Sequence, residues 1–332
     1  MSNGKQILVT GDRPTGRLHL GHLVGSLNNR IAFQDDYDCY FLVADLHMLT
    51  THYDKVSEVE KNTLEMVMDW LSVGMDPEKS TFYIQSQIPY ITALYAILSM
   101  ICAVPLAARI PTLKEKIQDM GVGENYSVGL LGYPVLMAAD ILMFKATKVP
   151  VGEDQLSHIE LTRELARRFN HLYGEYFTEP DPVISETSRL VGTDGDRKMS
   201  KSLDNCIYLS DDQKEVETRV RGMFTDPNRI RADIPGKVEG NPVFIYHDAF
   251  NTDTEEIEDL KERYRTGNVG DVEVKKKLAR AINELLEPIR ERRAEFEKRP
   301  DDVRDILREG TERAREAAHG NMEEIISKMG LF

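Results

Sequence analysis

Over its first 210 residues the chain alternates short β-rich runs with longer helical patterns, an order that few folds accommodate. QILVTG (6–11), DCYFLVADL (38–46), STFYIQSQ (80–87) and KVPVG (148–152) read as strands, rich in β-branched and aromatic residues. Helical stretches follow Gly21, Asp54 and Pro89. Strands that alternate with helices assemble into a parallel sheet covered by those helices. The expected fold class is therefore α/β, with a catalytic-sized domain over residues 1–210 and a helical segment inserted at about 105–145. From about Ser210 the pattern turns to charged helices, interrupted by the loop IPGKVEGNPVF (234–244). Leu278, Ile282, Leu285, Leu286 and Ile289 fall at i, i+4, i+7, i+8 and i+11, an amphipathic stripe read first as core packing. A C-terminal all-helical domain over residues 211–332 is expected.

Composition excludes several classes. The chain has 332 residues, 41% hydrophobic and 30% charged, enough for a large domain plus a smaller one. No stretch approaches the roughly 20 apolar residues of a membrane span, so a cytoplasmic protein without a membrane partner is expected. Cys39, Cys102 and Cys206 are widely separated and lack CxxC spacing, which indicates neither a disulfide framework nor a zinc site. No metal site built by the chain itself is expected. The net charge of −14 argues against unspecific nucleic-acid binding, and no DNA partner is expected. Between Lys275 and Arg299, however, basic residues outnumber acidic ones, which points to a local surface for RNA.

The first strand runs into the loop Gly11-Asp12-Arg13-Pro14-Thr15-Gly16, then into Leu18-His19-Leu20-Gly21-His22. In α/β sheets ligands sit outside the carboxyl ends of strands, near helix N-termini that favour phosphate. Gly11, Gly16 and Gly21 allow backbone to approach a ligand, and His19 and His22 can each donate a ring N–H to a phosphate or ribose oxygen. Two histidines three apart can equally pack at a helix start or bind a metal. Far downstream, residues 197–202 read RKMSKS, either a solvated loop or a pair of lysines gripping a polyphosphate with serine hydroxyls beside them.

Taken together, HxGH followed by KMSKS resembles the paired signature of the class I aminoacyl-tRNA synthetases. The resemblance implies a Rossmann-like nucleotide-binding domain in which an amino-acid carboxylate attacks the α-phosphorus of ATP. His19, His22, Lys198 and Lys201 would be the catalytic residues, because pyrophosphate departs with growing negative charge. It also implies ATP contacts at Arg13, Pro14, Thr15, Gly21, His22, Gly152, Glu153, Asp154, Leu190, Lys198, Met199, Ser200, Lys201 and Ser202. Mg²⁺ is expected with the ATP.

The amino acid is read from GLLGYPVLMAADILMF (129–144). If this is helical from Pro134, then Met137, Asp140, Ile141 and Phe144 share a face with Tyr133 just ahead. A carboxylate on an apolar face needs a donor, and either a salt bridge or a ligand can supply it. Indole offers one N–H and no acceptor, so Asp140 suits tryptophan, although a phenol would also donate. The stretch is similar to that of the tryptophanyl and tyrosyl families. YPVLMAAD, Gly152-Glu153-Asp154-Gln155 and the helical end at Phe332 resemble the tryptophanyl branch. That branch implies tryptophan contacts at Asp140, Tyr133, Met137, Ile141, Val151, Gln155 and Arg13. Asp154 also has the position of a helix N-cap. Arg13 and His22 depart from the Gln and Asn of many bacterial relatives, which bears on affinity for tryptophan and its analogues. The family further implies a homodimer and a tRNA(Trp) partner, with Arg219 to Arg231 and the helix from Lys275 as candidate RNA contacts. A tyrosyl-type synthetase, a nucleotidyltransferase and a non-catalytic tryptophan-sensing paralogue are the competing readings.

Overall fold

The computed structural model describes residues 4–184, 190–226, 229 and 231–331; Pro227, Asn228 and Ile230 of the candidate RNA stretch lie outside the described residues. Among the described residues five strands form one parallel sheet in the order β3-β2-β1-β4-β5. They are β1 (Ile7–Asp12), β2 (Asp38–Val43), β3 (Ser80–Ile84), β4 (Lys148–Val151) and β5 (Asp181–Ile184). The first four match the runs read from sequence, with β2 and β3 ending earlier because the chain turns at Ala44 and Gln85 to present side chains above the sheet. β5 is not expected from sequence, because Pro182 argues against a strand. It lies at the sheet edge, where a residue without an N–H is tolerated.

The helices of the first part are α1 (Leu20–His22), α2 (Asn28–Asp36), α3 (Asp45–Leu49), α4 (Val59–Val73), α5 (Pro89–Ile101), α6 (Val104–Ala108), α7 (Pro111–Met120), α8 (Val128–Met143) and α9 (Leu156–Tyr173). A π turn, Leu23–Leu27, joins α1 to α2. The second part contains α10 (Gln213–Arg221), α11 (Pro242–Phe250), α12 (Thr254–Thr266), α13 (Asp271–Lys298) and α14 (Pro300–Lys328). The fold class is the expected one, a Rossmann-like α/β sheet followed by helices.

Helix α8 corrects one local expectation. It begins at Val128, well before Pro134, because Ser127 caps it by accepting the Leu130 N–H at 3.0 Å. Pro134 therefore sits inside the helix and is buried there. The apolar stripe of α13 packs as read: Leu278, Ile282 and Leu286 are fully buried in the core that also holds Leu18, Leu20 and Phe41.

The last helix crosses back to the sheet. Ala314, Ala318, Met322 and Ile325 of α14 enter the core shared by α5, α8 and α9. Thr311 Oγ1 accepts the Ile84 N–H at 3.1 Å, giving a partner to an edge amide of β3. One turn of α14 lies so close to β3 that a Cβ on Gly310 would stand 2.0 Å from the Phe82 carbonyl oxygen. Gly310→Ala is expected to push α14 off the sheet and cost about 3 kcal/mol, as overpacking against backbone does. A urea denaturation midpoint equal to that of the unaltered chain would contradict this packing.

Candidate active site

The loop after β1 and the lysine loop meet through backbone. Leu20 N donates to Ile207 O at 3.0 Å, and Leu209 N donates to Leu18 O at 3.0 Å. A second pairing folds the lysine loop onto the segment before it: Met199 N donates to Leu190 O at 3.2 Å, and Gly192 N to Arg197 O. Asn205, buried, pins the loop from within, accepting Ser200 N at 2.8 Å and donating to Lys198 O at 3.2 Å and Asp194 Oδ2 at 2.8 Å.

These contacts bring the two motifs into touch. Gly21 N donates to the Met199 sulfur at 3.2 Å, and a Cβ on Gly21 would press on both that sulfur and the His19 ring. Met199 is itself buried, with its sulfur against Gly21 and its N–H on the Leu190 carbonyl. Lys201 Nζ donates to Thr15 O, Thr15 Oγ1 and Gly16 O at 3.0 to 3.1 Å, closing the loop over the glycine turn. Lys198 and Ser202 are exposed; Ser200 and Ser202 share a hydrogen bond of 3.0 Å. Pro14 is buried beneath this turn, whereas Arg13 and Thr15 face solvent.

Both histidines are neutral. His19 is buried, and burial, then the nearby His22 and the two lysines, pushes its ring down to about 2. Burial holds His22 at about 4 despite the opposing Asp12 carboxylate. The rings stand 3.8 Å apart by centroid. His22 Nδ1 accepts the His19 backbone N–H at 3.2 Å, which places the proton of the neutral His22 ring on Nε2 as a donor. His19 Nδ1 is buried without a partner. Behind them Asp12 is clamped by Arg30 Nη1 at 2.6 Å and Nη2 at 3.0 Å, with Trp70 Nε1 at 3.2 Å. Burial alone would raise the Asp12 carboxyl, but the Arg30 guanidinium brings it below its ordinary value.

Asp140 projects from α8 and is 3% exposed. Two side chains that sequence reasoning misses receive it. His47 Nε2 donates to Oδ2 at 2.8 Å, and Gln85 Nε2 donates to both oxygens at 2.8 and 2.9 Å. Burial nevertheless raises the Asp140 carboxyl above its usual range. Gln85 is oriented in turn by its Oε1, which accepts the His47 backbone N–H, and by Ser86, whose hydroxyl binds Asp45 at 2.5 Å. His47 and Gln85 stand just past the carboxyl ends of β2 and β3, so the rule that ligands gather at strand ends is the signal that could have found them.

Tyr133, Ile141 and Val151 are buried around Asp140's helix, and Met137 is half-buried. The Tyr133 hydroxyl is held by Thr112 at 2.6 Å and His158 Nε2 at 3.1 Å. Lys116 Nζ lies 5.2 Å from the Tyr133 ring, and Arg13 is within electrostatic reach of both. Arg13 also donates to Thr51 Oγ1 at 3.4 Å. Gly152, Glu153 and Asp154 are exposed at the head of α9, and Leu190 is buried before the lysine loop. Asp154 is not the N-cap. It lies inside a 3₁₀ turn, Glu153–Gln155, that opens at Gly152, and Gln155 Nε2 donates to it at 3.4 Å.

The candidate RNA residues are corrected more broadly. Lys275 is buried and donates to the carbonyls of Arg221 and Met223, terminating α10. Arg229 is buried against Asp271, Arg219 pairs with Asp204 and Asp211, and Arg280 pairs with Glu256. Arg221 and Lys276 remain exposed.

Two motifs joined by backbone pairing and side-chain contacts, with neutral histidines beside lysines, form a candidate active site of the kind the class I aminoacyl-tRNA synthetases carry. The sequence model of the family described as tRNA synthetases class I (W and Y) matches residues 1–287. A tryptophan–tRNA ligase of Treponema pallidum is 53% identical over 326 residues, covering 98% of this chain and 96% of its own. That of Thermotoga maritima is 46% identical over 326 residues, covering 98% and 99%. The crystal structure of tryptophanyl-tRNA synthetase from Campylobacter jejuni, complexed with ADP and tryptophan, superposes with a TM-score of 0.87 at 33% identity and covers 98% of this chain and 100% of that one. The chain belongs to the tryptophanyl branch of the class I aminoacyl-tRNA synthetases.

Removing Gln85 takes from the Asp140 carboxylate the donor to both its oxygens and leaves it His47 alone. Because burial already holds the folded carboxyl above its unfolded value, any stability it contributes is greatest at low pH and is lost as pH rises through the folded value. Gln85→Leu is expected to cost about 1–3 kcal/mol at neutral pH and less as pH falls into the range where the Asp140 carboxyl takes up its proton, read by urea denaturation across a pH series. A loss that stays constant down to the lowest pH at which the chain is folded would mean that Gln85 does not serve the carboxylate.

Proposed function

We propose that this chain activates L-tryptophan with ATP, forming tryptophanyl-adenylate and pyrophosphate, and transfers the tryptophyl group to the 3′ end of tRNA(Trp). The observation that carries the reading is the closure of the lysine loop onto the HxGH turn beside a buried carboxylate on α8. In this reading His22 Nε2–H and the unpartnered His19 ring hold triphosphate and ribose oxygens. Lys198 and Lys201 stabilise the charge that grows on the departing pyrophosphate. Lys201 would exchange its bonds to the Thr15 and Gly16 carbonyls for phosphate oxygens. Thr15, Gly21, Gly152, Glu153, Asp154 and the Leu190 backbone line the nucleoside, and Ser200 and Ser202 add donors. Mg²⁺ supplies charge neutralisation on the triphosphate. Among the described residues no three His, Cys, Asp or Glu side chains converge.

Asp140 receives the indole N–H in a slot walled by Met137, Ile141 and Val151, while Tyr133 and Gln155 meet the α-ammonium and Arg13 the carboxylate. Phenylalanine would leave the carboxylate facing no donor from the ligand, a large penalty. We take residues 1–210, with the insertion at 105–145, as the catalytic unit and 211–332 as the part that reads the anticodon. A homodimer is supported by Met100, Val104 and Val128, large apolar side chains 64 to 81% exposed on α5, α6 and α8. A cytoplasmic setting accords with the finding that, among the described residues, no helix is long and apolar enough to cross a membrane.

Exchange of labelled pyrophosphate into ATP, run with each amino acid, tests the reading. Tryptophan alone is expected to support it, and Asp140→Ala to lower kcat/KM for tryptophan about 100-fold or more. Exchange driven by tyrosine, or none at all, would refute it.

Burial lowers Lys201 to about 8. It is charged below that value and neutral above it, so its attraction for the triphosphate is lost as pH rises. The kcat/KM for ATP, which reports the free enzyme, should therefore fall above pH about 8. A Lys201→Arg variant should hold its profile level to roughly pH 9.5, since guanidinium stays charged. A level profile in the unaltered chain would contradict the assignment.

A further inference from the structure

Helix α4 carries a carboxylate with no solvent contact. Asp69 is 0% exposed, and its Oδ2 accepts the Leu18 backbone N–H at 2.6 Å. Its Oδ1 accepts Arg293 Nη1 at 2.5 Å. Leu18 immediately precedes His19, whereas Arg293 comes from α13 in the helical part of the chain. Arg293 is itself buried, and its other bonds go to the Glu65 carbonyl at 3.2 Å, the Glu65 carboxylate, and Glu297 at 2.8 Å. The same carboxylate is the foremost favourable charge acting on Lys201.

An apolar contact would join α13 to α4 at less desolvation cost than a buried ion pair. A carboxylate adds what an apolar contact lacks: a fixed acceptor for one particular amide. Leu18 is held on its other side by Leu209, which donates to its carbonyl. Its peptide is thus located between Asp69 and the strand-like segment after the lysine loop. Moving α13 would move Arg293, then Asp69, then the peptide that carries His19.

We propose that Asp69 and Arg293 are positioning residues for amino-acid activation: through one shared carboxylate, helix α13 sets where the Leu18–His19 backbone lies, so the helical part and the nucleotide site are energetically coupled. The proposal rests on the reading that His19 and His22 hold ATP. Coupling between two sites is reciprocal, so nucleotide bound at His19 must in turn restrain α13. A pair that merely glues two helices carries no such requirement.

Two measurements test this. In the unaltered chain, hydrogen exchange is followed with and without ATP and Mg²⁺ in the absence of tryptophan. Peptides over 11–23 and 198–204 are expected to slow, and the peptide over 286–298 to slow by about fivefold or more, the lower end of typical coupling. Slowing of the first two without the third overturns the proposal while leaving the function standing. No slowing anywhere instead counts against nucleotide binding itself. The second measurement uses Asp69→Asn/Arg293→Met, which keeps an acceptor for Leu18 but buries no charge. It is expected to raise KM for ATP about fivefold, leave KM for tryptophan unchanged, and abolish the ATP effect on α13. Unchanged KM for ATP with the α13 effect retained overturns the proposal; should the variant not fold, the first measurement decides alone.

Discussion

Two backbone hydrogen bonds, Leu20 N to Ile207 O and Leu209 N to Leu18 O, are what the rest of the site depends on. They join segments almost two hundred residues apart with main-chain atoms, so the register between them does not depend on flexible side chains. Once Leu18 and Leu20 are paired, His19 between them projects to the other face, and the turn that follows brings Gly21 against Met199. The lysines then need little freedom to reach the same space. Lys201 already spans it, binding carbonyls where an incoming anion would compete.

This closure explains the charge states. Burial of the two rings, with two ammonium groups nearby, disfavours an imidazolium, so the histidines stay neutral. A neutral ring donates one N–H without contributing charge. The positive charge is left to the lysines, both on a loop pinned by Asn205. Asp12, close to His22, does not disturb this arrangement because Arg30 and Trp70 take up its lone pairs.

How legible this was depends on the kind of contact. The order of strands and helices was readable because β-rich runs and 3.6-residue stripes are local signals, and four of the five strands follow them. β5 was hidden by Pro182, a breaker whose effect depends on lying at an edge, which is a tertiary fact. Among the site residues, those inside a contiguous motif could be named, and His19, Gly21, Met199 and Lys201 do converge. His47 and Gln85 lie outside any motif and act on Asp140 from other stretches of chain, so only their place past the ends of β2 and β3 marks them, whereas Asn205 acts on its own loop from just beyond the motif. Charge counting was the least reliable guide. A basic run near α13 suggested an RNA face, yet Lys275, Arg229 and Arg293 are spent inside the fold, on helix ends and buried carboxylates.

That spending says something about how the two parts of the chain cooperate. Breaking a buried ion pair by removing one partner costs about 3–5 kcal/mol, a large share of a domain's stability, and burial still leaves the Asp69 carboxyl raised to about 6 despite Arg293. Such a site is poorly explained as glue. On the far side of the sheet α14 makes a comparable contact, Thr311 on the Ile84 amide, one residue before the Gln85 that serves Asp140. The two C-terminal helices therefore end their polar contacts next to the two halves of the site, α13 beside the histidine turn and α14 beside the carboxylate. A chain whose C-terminal helices only covered the sheet could have used apolar side chains at both places. Directional hydrogen bonds at these two positions instead tie the Leu18 peptide to α13 through Asp69 and the Ile84 amide to α14.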